Sequence, residues 1–320
     1  MLVPILLFIV GLVLLIKGGD WFVDGATAVA HRFHVPELLI GATVVSIGTT
    51  LPEVMVSASA AVGGHGEIAY GNAIGSIICN TALIAALTIA IRPGAVDKRS
   101  LRTPVLFFFV AAVFYAAIAY TGGSFTRLCG VALLLLFALY MTLTIRQSFR
   151  DAVPGEQSSS GGDKPLWKEL VLLVLGAAVI AVGADLLVDN GTRIAQGFGV
   201  PESVIALTFV ALGTSLPELV TAITSLVKGH SALSLGNIVG ANLFNLVLVS
   251  GLSTTLSPFS VPQEKTLAGY NASLVLDIPL MMLVMLLMTV PALVKGRLAR
   301  WQGLLLLAFY AGFCVFQFCF

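Results

Sequence analysis

A nineteen-residue motif occurs twice in this chain, and no other feature of the sequence constrains the fold as strongly. Residues 35–53 read Val-Pro-Glu-Leu-Leu-Ile-Gly-Ala-Thr-Val-Val-Ser-Ile-Gly-Thr-Thr-Leu-Pro-Glu, and the motif returns at 200–218 with eleven of nineteen positions identical. The same offset of 165 residues also pairs Asp20 with Asp185, Asp24 with Asp189, Asn72 with Asn237, Gly75 with Gly240, and Asn80 with Asn245. Self-similarity at one fixed offset indicates a chain built from two similar halves.

The composition is that of an integral membrane protein. Apolar residues make up 58% of the chain and charged residues 10%, against about 25% charged residues in soluble domains. A membrane-spanning helix needs ~20 apolar residues. Ten segments are predicted to span on that basis, at about 2–30, 36–63, 68–91, 104–120, 124–146, 167–190, 200–228, 232–257, 271–291 and 299–319. A duplicated polar motif in such a chain is typical of a transporter whose site lies where the halves meet.

The predicted fold is all-α, with ten transmembrane helices in two inverted five-helix repeats. Because five is an odd number of spans, the second half must enter the membrane in the opposite orientation. The first repeat is assigned to 1–150 and the second to 167–320. Between them, 151–166 is polar and rich in Gly and Ser, which predicts a flexible linker. The first segment is a full-length span followed by nine more, so we do not interpret it as a cleaved signal peptide.

The distribution of Lys and Arg predicts the orientation. Thirteen of these residues fall in the connections 1–2, 3–4, 5–6, 7–8 and 9–10, whereas Arg127, Arg193 and Lys265 fall on the opposite side. The richer side is expected to be cytoplasmic, which places both termini outside and residues 147–166 in the cytoplasm. The expected location is the inner membrane of a bacterium or archaeon. The net charge of +1 gives no indication of a nucleic-acid partner, and no protein partner is inferred.

Two glutamates, Glu53 and Glu218, lie near the middle of predicted spans 2 and 7. A charged side chain at that depth costs at least ~2.5–3.5 kcal/mol. A structural Lys or Arg could neutralise each one, but spans 2, 3, 7 and 8 carry none at mid-depth. A bound cation or a proton is the remaining means of neutralisation, so both acids are predicted to be functional.

A proline precedes each glutamate and predicts an interrupted or kinked helix. Pro52 and Pro217 cannot donate a backbone hydrogen bond, which frees carbonyls around 46–48 and 211–213. Thr49, Thr50, Thr214 and Ser215 add hydroxyl oxygens beside the carboxylates. Carboxylates, hydroxyls and carbonyls form an all-oxygen shell, which suits hard cations such as Ca²⁺ and Na⁺ rather than zinc or copper.

A second repeated element follows, Gly-Asn-x-x-Gly-[Ser/Ala]-x-x-x-Asn, in spans 3 and 8. Ser76 and Asn80 lie four residues apart and share a helix face, as do Ala241 and Asn245. Hydrogen bonding between helices is the competing role for such asparagines. The repeat favours ligation for Asn80 and Asn245, and structural roles are expected for Asn72, Asn237 and Asn242.

The paired aspartates of spans 1 and 6, and the four histidines, are expected to be solvated or to cap loops. The four cysteines are expected to be buried apolar residues, and Asp277 has no assigned role.

The paired Gly-Thr-[Thr/Ser]-Leu-Pro-Glu motifs and the Gly-Asn elements that follow them resemble the two α-repeats of sodium/calcium exchangers, within the cation/calcium antiporter superfamily. The match covers about 36–91 and 200–257. The resemblance implies a calcium site formed by Glu53, Glu218, Thr49 and Thr214. It also implies sodium ligands at Thr50, Ser76 and Ser46 in one half and at Ser215 and Ala211 in the other.

The chain departs from that family pattern at two positions. Ala241 stands where the family has serine, and Asn245 stands where many microbial members have an acid. The Gly-Asn-x-x-Glu signature typical of calcium/proton members is absent. The leading prediction is therefore a Ca²⁺/Na⁺ antiporter that works by alternating access, without enzymatic activity or a cofactor, the ions being its cargo in a lipid bilayer. A Ca²⁺/H⁺ antiporter is the nearest alternative, and a passive cation channel is a more distant one. A membrane-embedded protease is disfavoured because Gly-x-Gly-Asp is missing.

Overall fold

The fold is described from a computed structural model that covers residues 2–151, 165–197, 213–263 and 266–319. These residues form ten helices: α1 Leu2–Arg32, α2 Glu37–Val62, α3 Gly66–Ile91, α4 Lys98–Thr121, α5 Arg127–Asp151, α6 Leu166–Gly197, α7 Leu216–Val227, α8 Ser231–Leu256, α9 Ser273–Lys295 and α10 Arg300–Cys319. Eight helices of the described ranges, α1–α6, α8 and α9, are long and apolar enough to cross a membrane. The predicted all-α, multi-pass architecture is confirmed. The first part of predicted span 7, residues 200–212, lies outside the described residues.

Four of the helices contain a wider, π-helical turn. These turns are Gly41–Val45 in α2, Asn80–Ala85 in α3, Asn245–Val249 in α8 and Ser273–Asp277 in α9. The turns in α3 and α8 begin at residues that the repeat pairs with each other. Single π-helical turns inside α-helices are frequent at functional sites.

The two motif prolines have different effects on their helices. Helix α2 continues through Pro52, so of the predicted break or kink, the break is wrong in the first half. A helix loses one backbone hydrogen bond at a proline, and neighbouring groups in a transmembrane bundle can compensate for it. In the second half, Thr214 and Ser215 form a turn, and α7 begins at Leu216 with Pro217 in its first turn. A proline is tolerated there because its missing N–H would have no intrahelical partner.

Short antiparallel strand pairs join the connections between helices and preserve the symmetry of the halves. The strands are β1 Gly94–Ala95, β2 Ser124–Phe125, β3 Phe259–Ser260, β4 Thr266–Leu267, β5 Tyr270–Asn271 and β6 Arg297–Leu298. Strand β1 pairs with β6, which joins connection 3–4 to connection 9–10, and β2 pairs with β3, which joins 4–5 to 8–9. The repeat relates connection 3–4 to 8–9 and connection 4–5 to 9–10. It therefore exchanges these two strand pairs, as an inverted repeat requires.

Helix α4 begins six residues before the predicted span. Asp97 caps it, because its carboxylate accepts hydrogen bonds from the backbone N–H groups of Arg99 and Ser100. Asp is among the preferred residues at this position. The first turn is therefore polar and carries Lys98 and Arg99, which a search for apolar segments omits.

Helices α1 and α6 pack against each other as an antiparallel pair along a row of glycines. A methyl group added at Gly11 would lie 2.9 Å from the Gly183 carbonyl oxygen, and one at Gly18 would lie 3.0 Å from that of Gly176. Small residues allow such close approach of backbones. The buried apolar side chains of this pair belong to a cluster that also takes in Ile40 and Val45 of α2 and Leu233 of α8, and that is distinct from the larger cluster of the other helices. We refer to α1 and α6 as the two-helix unit and to the other eight helices as the core.

Within the core, α3 and α8 are the most enclosed helices. In their most apolar stretches, 72% of the residues of α3 and 83% of those of α8 are buried. Large aromatic side chains of α4 and α5 are almost fully buried in the same core, including Phe108, Tyr115 and Tyr140. This enclosure keeps lipid and water away from the polar residues that both helices carry.

Candidate ion-binding site

Helices α2 and α7 bring the two motif glutamates together at the centre of the core. Glu53 and Glu218 are both fully buried, and their side chains are close enough for their charges to interact. All four carboxylate oxygens are buried without a hydrogen-bond partner among the described residues. In the same part of the chain, no Lys, Arg or His forms an ion pair with either glutamate. Two uncompensated carboxylates in one low-dielectric region require a positive charge or protons.

Hydroxyl groups of the first motif lie beside the carboxylate of the second, and two further candidate hydroxyls are buried. The hydroxyls of Thr49 and Thr50 lie beside Glu218, although Thr50 makes no hydrogen bond of normal geometry to the described residues. Ser215 is buried, and its oxygen is also unpaired there. Ser76 is 4% exposed. A threonine pair from α2 thus lies beside the acid of α7, so the two motifs contribute to one site.

Asn80 and Asn245 carry buried amide groups on α3 and α8. Both side chains are fully buried, and neither amide atom of either has a hydrogen-bond partner among the described residues. Each residue begins a π-helical turn. A buried amide that bonds only to its own helix or its neighbours would have partners here, so the packing role considered for these two residues receives no support.

The remaining predicted site residues are tied to their neighbours or lie outside the described ranges. The Ser46 hydroxyl lies 2.7 Å from the Gly41 carbonyl oxygen of its own helix and 2.9 Å from that of Asn237 in α8, so its proton is engaged by backbone carbonyls. The Thr214 hydroxyl donates to Asn72 Oδ1 at 3.2 Å. Ala211 falls outside the described residues.

The two-helix unit covers one side of the site. Phe22 of α1 lies against Gly48, where an added methyl group would come within 3.0 Å of its ring. A narrow gap between the units is lined by Phe22, Gly48, Thr49, Pro52, Ala177, Ile180, Ala181 and Pro217. Displacement of α1 and α6 would therefore uncover the motif helices directly.

Most polar residues that were predicted to be peripheral are peripheral. Asp185 and Asp189 are exposed, and Asp24 is exposed but paired, its Oδ1 lying 2.7 Å from Lys228 Nζ. Of the histidines, His230 differs from the prediction because its ring nitrogen lies 2.8 Å from Glu37 and it is only partly exposed. Asp277 lies 3.5 Å from the Gln317 amide nitrogen.

Sequence reasoning missed one residue beside the site. Cys79 is buried as predicted. Its thiol lies next to the Ser215 hydroxyl, and its sulfur accepts a hydrogen bond from the Tyr310 hydroxyl at 3.8 Å. Its position directly before Asn80 was the only available indication. The described residues hold no group of three or more His, Cys, Asp or Glu side chains placed to hold a metal ion, so the charged ligands available here are the two carboxylates and the other candidate ligands are neutral. Such a set suits a hard cation of modest charge.

Comparison with known proteins agrees with this arrangement. The family model described as "Sodium/calcium exchanger protein" matches residues 3–146 and 168–319, which covers both repeats. The chain belongs to the sodium/calcium exchanger family. A sodium/calcium exchanger of Methanosarcina acetivorans, MaX1, is 30% identical over 99% of both chains. An uncharacterized membrane protein of Methanocaldococcus jannaschii is 34% identical over 95% of this chain and 94% of its own length. A solved structure of the sodium-calcium exchanger NCX_Mj, soaked with 10 mM Na⁺ and zero Ca²⁺, superposes with a TM-score of 0.82 over 97% of both chains at 32% identity.

Family membership accounts for the paired motifs and the ten helices. Members of the sodium/calcium exchanger family are membrane transporters that exchange cations, so the chain is a multi-pass cation antiporter. The resemblance suggested by the paired motifs is confirmed at the level of the family.

Proposed function

We propose that this protein exchanges Ca²⁺ for Na⁺ across a prokaryotic cell membrane by alternating access. The observation that carries the proposal is the pair of fully buried carboxylates, Glu53 and Glu218, without ion-pair or hydrogen-bond partners in the described part of the chain. One Ca²⁺ would neutralise both charges. The surrounding hydroxyl and amide oxygens, at Thr49, Thr50 and Ser215 and at Asn80 and Asn245, would complete its shell.

Coupling follows from the cost of leaving the site charged. An empty site would carry two buried negative charges during the conformational change, which is slow because no bulk water stabilises them. The site therefore crosses when Ca²⁺, or Na⁺ ions that share its oxygens, neutralise it. The two-helix unit α1–α6 is the element that would expose the site to each side in turn.

Sodium is favoured over protons as the exchanged ion by the neutral oxygens. Beyond the two glutamates, the side chains around the site are hydroxyls and amides, which cannot take up a proton in this pH range but can bind Na⁺. A Ca²⁺/H⁺ antiporter needs only the two carboxylates, so it is the second candidate. The relatives compared above are named as sodium/calcium exchangers or have no assigned activity.

Flux measurements in proteoliposomes test the proposal. Vesicles loaded with Na⁺ are diluted into ⁴⁵Ca²⁺ without Na⁺, and parallel vesicles carry an imposed proton gradient in choline salts. We expect Ca²⁺ uptake with the Na⁺ gradient, insensitive to a protonophore. Uptake with only the proton gradient would establish the proton-coupled alternative. Uptake that is independent of any ion on the opposite side would establish a channel. Vesicles that contain the Glu53→Gln variant serve as the matched control.

A further inference from the structure

The two motif threonines are each hydrogen-bonded by an asparagine of the opposite half. Thr49 Oγ1 of α2 donates to Asn237 Oδ1 of α8 at 3.1 Å. Thr214 Oγ1, in the turn before α7, donates to Asn72 Oδ1 of α3 at 3.2 Å. The same offset of 165 residues relates both threonines and both asparagines. The same threonine–asparagine contact is therefore made twice, each time between a threonine of one half and an asparagine of the other. We call these two hydrogen bonds the crossed contacts.

The direction of these bonds follows from the other contacts of Asn72. Its amide nitrogen faces the Glu53 carbonyl oxygen at 3.3 Å and the Ser57 hydroxyl at 2.8 Å. A carbonyl can only accept, so the atom that faces it must be the donating nitrogen. The amide oxygen then points to Thr214 and can only accept the hydroxyl proton. The symmetry of the repeat assigns the same direction to Thr49 and Asn237.

A threonine hydroxyl has one proton and two lone pairs. When the proton is donated to an amide oxygen, both lone pairs stay available to a cation. Without that acceptor, the proton of Thr49 could turn toward the nearby carboxylate of Glu218 and would face the cation's position. Partners that orient a ligand in this way commonly change metal affinity by about 10- to 100-fold when they are removed.

We propose that Asn72 and Asn237 are positioning residues of the ion site, which fix the lone pairs of Thr214 and Thr49 toward the bound cation. The proposal rests on the function proposed above, since it assumes that both threonines bind the transported ion. It replaces the purely structural role expected for these asparagines from the sequence. In this proposal, an asparagine of each half orients a threonine ligand that belongs to the other half.

The two asparagines differ in a way that selects the better test residue. The position equivalent to Ser57 is Ala222, which has no hydroxyl, and Asn237 Nδ2 is buried without a partner among the described residues. Replacement of Asn237 by Ala therefore removes its acceptor contacts, and it strands no acceptor, because the amide nitrogen serves none among the described residues. Replacement of Asn72 would also leave Ser57 and the Glu53 carbonyl without their shared donor.

A double-mutant cycle tests the inference. If Asn237 affects ion binding only through Thr49, its replacement has no further effect on affinity once the Thr49 hydroxyl has been removed. The proteins are wild type, Asn237→Ala, Thr49→Val and the double variant, purified as full-length chains. Dissociation constants for Ca²⁺ and Na⁺ are measured by calorimetry. We expect Asn237→Ala to weaken Ca²⁺ binding by about tenfold in the wild type, at the lower end of the range for orienting partners. In the Thr49→Val background we expect less than about a twofold change.

Asn242→Ala is the matched control. Asn242 is an equally buried asparagine of the same helix, but its amide nitrogen bonds to Thr81 at 2.7 Å and not to a motif threonine. Any effect of this variant should be the same in the wild type and in Thr49→Val. The cycle of Asn72→Ala with Thr214→Val repeats the test in the other half and replaces the first if Asn237→Ala fails to fold.

The outcomes separate this inference from the proposed function. Equal losses from Asn237→Ala in both backgrounds, or no loss in either, would overturn the positioning role even if wild type exchanges Ca²⁺. If the wild type binds Na⁺ but not Ca²⁺, the proposed exchange fails, and the double-mutant cycle is evaluated from the dissociation constants for Na⁺. If wild type binds neither ion, both proposals fail.

Discussion

The two glutamates are equivalent by sequence but differ in their surroundings. Glu218 has the hydroxyls of Thr49 and Thr50 beside its carboxylate, whereas the backbone carbonyl of Glu53 is held by Asn72. Both still lack a hydrogen-bond partner for their carboxylate oxygens in the described ranges. Each acid therefore supplies one charge that nothing else in the described site can replace.

Removal of either charge is expected to abolish exchange. Glu53→Gln and Glu218→Gln keep the shape of the side chain but leave one carboxylate to balance a divalent cation. We expect near-complete loss of Ca²⁺ exchange with normal membrane insertion, measured as ⁴⁵Ca²⁺ uptake beside a quantitative immunoblot. Glu67→Gln, a change at a side chain that is 45% exposed, is the control. Substantial exchange by Glu218→Gln would contradict a shared site.

Two residues of α8 are expected to limit sodium binding. Ala241 and Asn245 are fully buried at positions where the family resemblance implies a hydroxyl and an acid, and a hard cation needs several oxygens. The double variant Ala241→Ser with Asn245→Asp should strengthen the Na⁺ dependence of Ca²⁺ exchange. It should also add pH sensitivity, because a carboxylate near other acids takes up a proton more readily.

The measurement is the Na⁺ dependence of exchange at several pH values, with Asn242→Asp as the control for an added acid elsewhere on α8. Superimposed curves for the wild type and the double variant at every pH would show that neither position lines the ion path.

At the scale of single residues, the sequence identifies side chains better than it identifies their contacts. The offset of 165 singled out Glu53, Glu218, Asn80 and Asn245, and all four are buried in the core. It singled out Asn72 and Asn237 equally, but a pairing of positions along the chain does not show which helix of the other half each side chain meets. The crossed bonds to the threonines depend on how α2 and α8 pack, and no local pattern encodes that.

The helices differ between the halves more than the sequence repeat predicts. Pro52 and Pro217 occupy matching positions, yet α2 is continuous and the second half is interrupted at Thr214 and Ser215. The missing N–H of a proline permits an interruption but does not require one. Packing can therefore differ in its effect between the halves, and α2 packs closely on α8 at Gly41 and Gly240.

We call the side of the molecule that carries the connections 1–2, 3–4, 5–6, 7–8 and 9–10 the basic face. On this face, basic side chains donate hydrogen bonds to the ends of helices. Arg92 donates to the Leu226 carbonyl at 3.0 Å and Arg300 to that of Ala90 at 2.9 Å. Cations interact favourably with the last carbonyls of a helix. The residues counted to predict orientation thus also stabilise the ends of α7 and α3.

Lys228 is expected to hold the two-helix unit closed on the basic face. Its ammonium lies 2.7 Å from Asp24 Oδ1 and 3.4 Å from Asp20 Oδ1, so it ties α1 to the end of α7. The equivalent position in the first half is Gly63, so the opposite face lacks this lysine. Exposed ion pairs contribute about 0.2–1 kcal/mol. Lys228→Gln should therefore raise the apparent Ca²⁺ affinity at the basic face by up to about fivefold.

The measurement compares sealed vesicles of both orientations, with Lys295→Gln as a control for charge on the same face. The gain should shrink in high salt, which screens the wild-type pair. An equal change of affinity on both faces would contradict a one-sided role for Lys228.

At the scale of the whole molecule, the inverted arrangement was predictable because five spans per half leave no other solution. The strand pairs β1–β6 and β2–β3 place the connections on the two faces as that prediction requires. The sequence could not show the division into the pair α1–α6 and the other eight helices. That division depends on glycine contacts between helices about 165 residues apart in the chain.

We expect the basic face to be cytoplasmic, with both termini outside. The excess of Lys and Arg on that face is thirteen to three, and positively charged loops stay in the cytoplasm. A protease site inserted in the linker 151–166, which lies largely outside the described residues, should resist external protease in intact cells and be cut after lysis. Cleavage in intact cells would reverse the orientation. A tag at the N-terminus should show the opposite pattern.

The crossed bonds between threonines and asparagines also bear on how the two halves can diverge. Thr49 depends on Asn237 and Thr214 on Asn72, so a substitution in one half acts on a side chain of the other. Positions without a crossed contact have already drifted, as Ser57 and Ala222 show. A protein assembled from two identical copies of the first half would keep both crossed contacts and gain a serine at the position of Ala241. A single half therefore contains every side chain that the crossed contacts need, one as donor and one as acceptor.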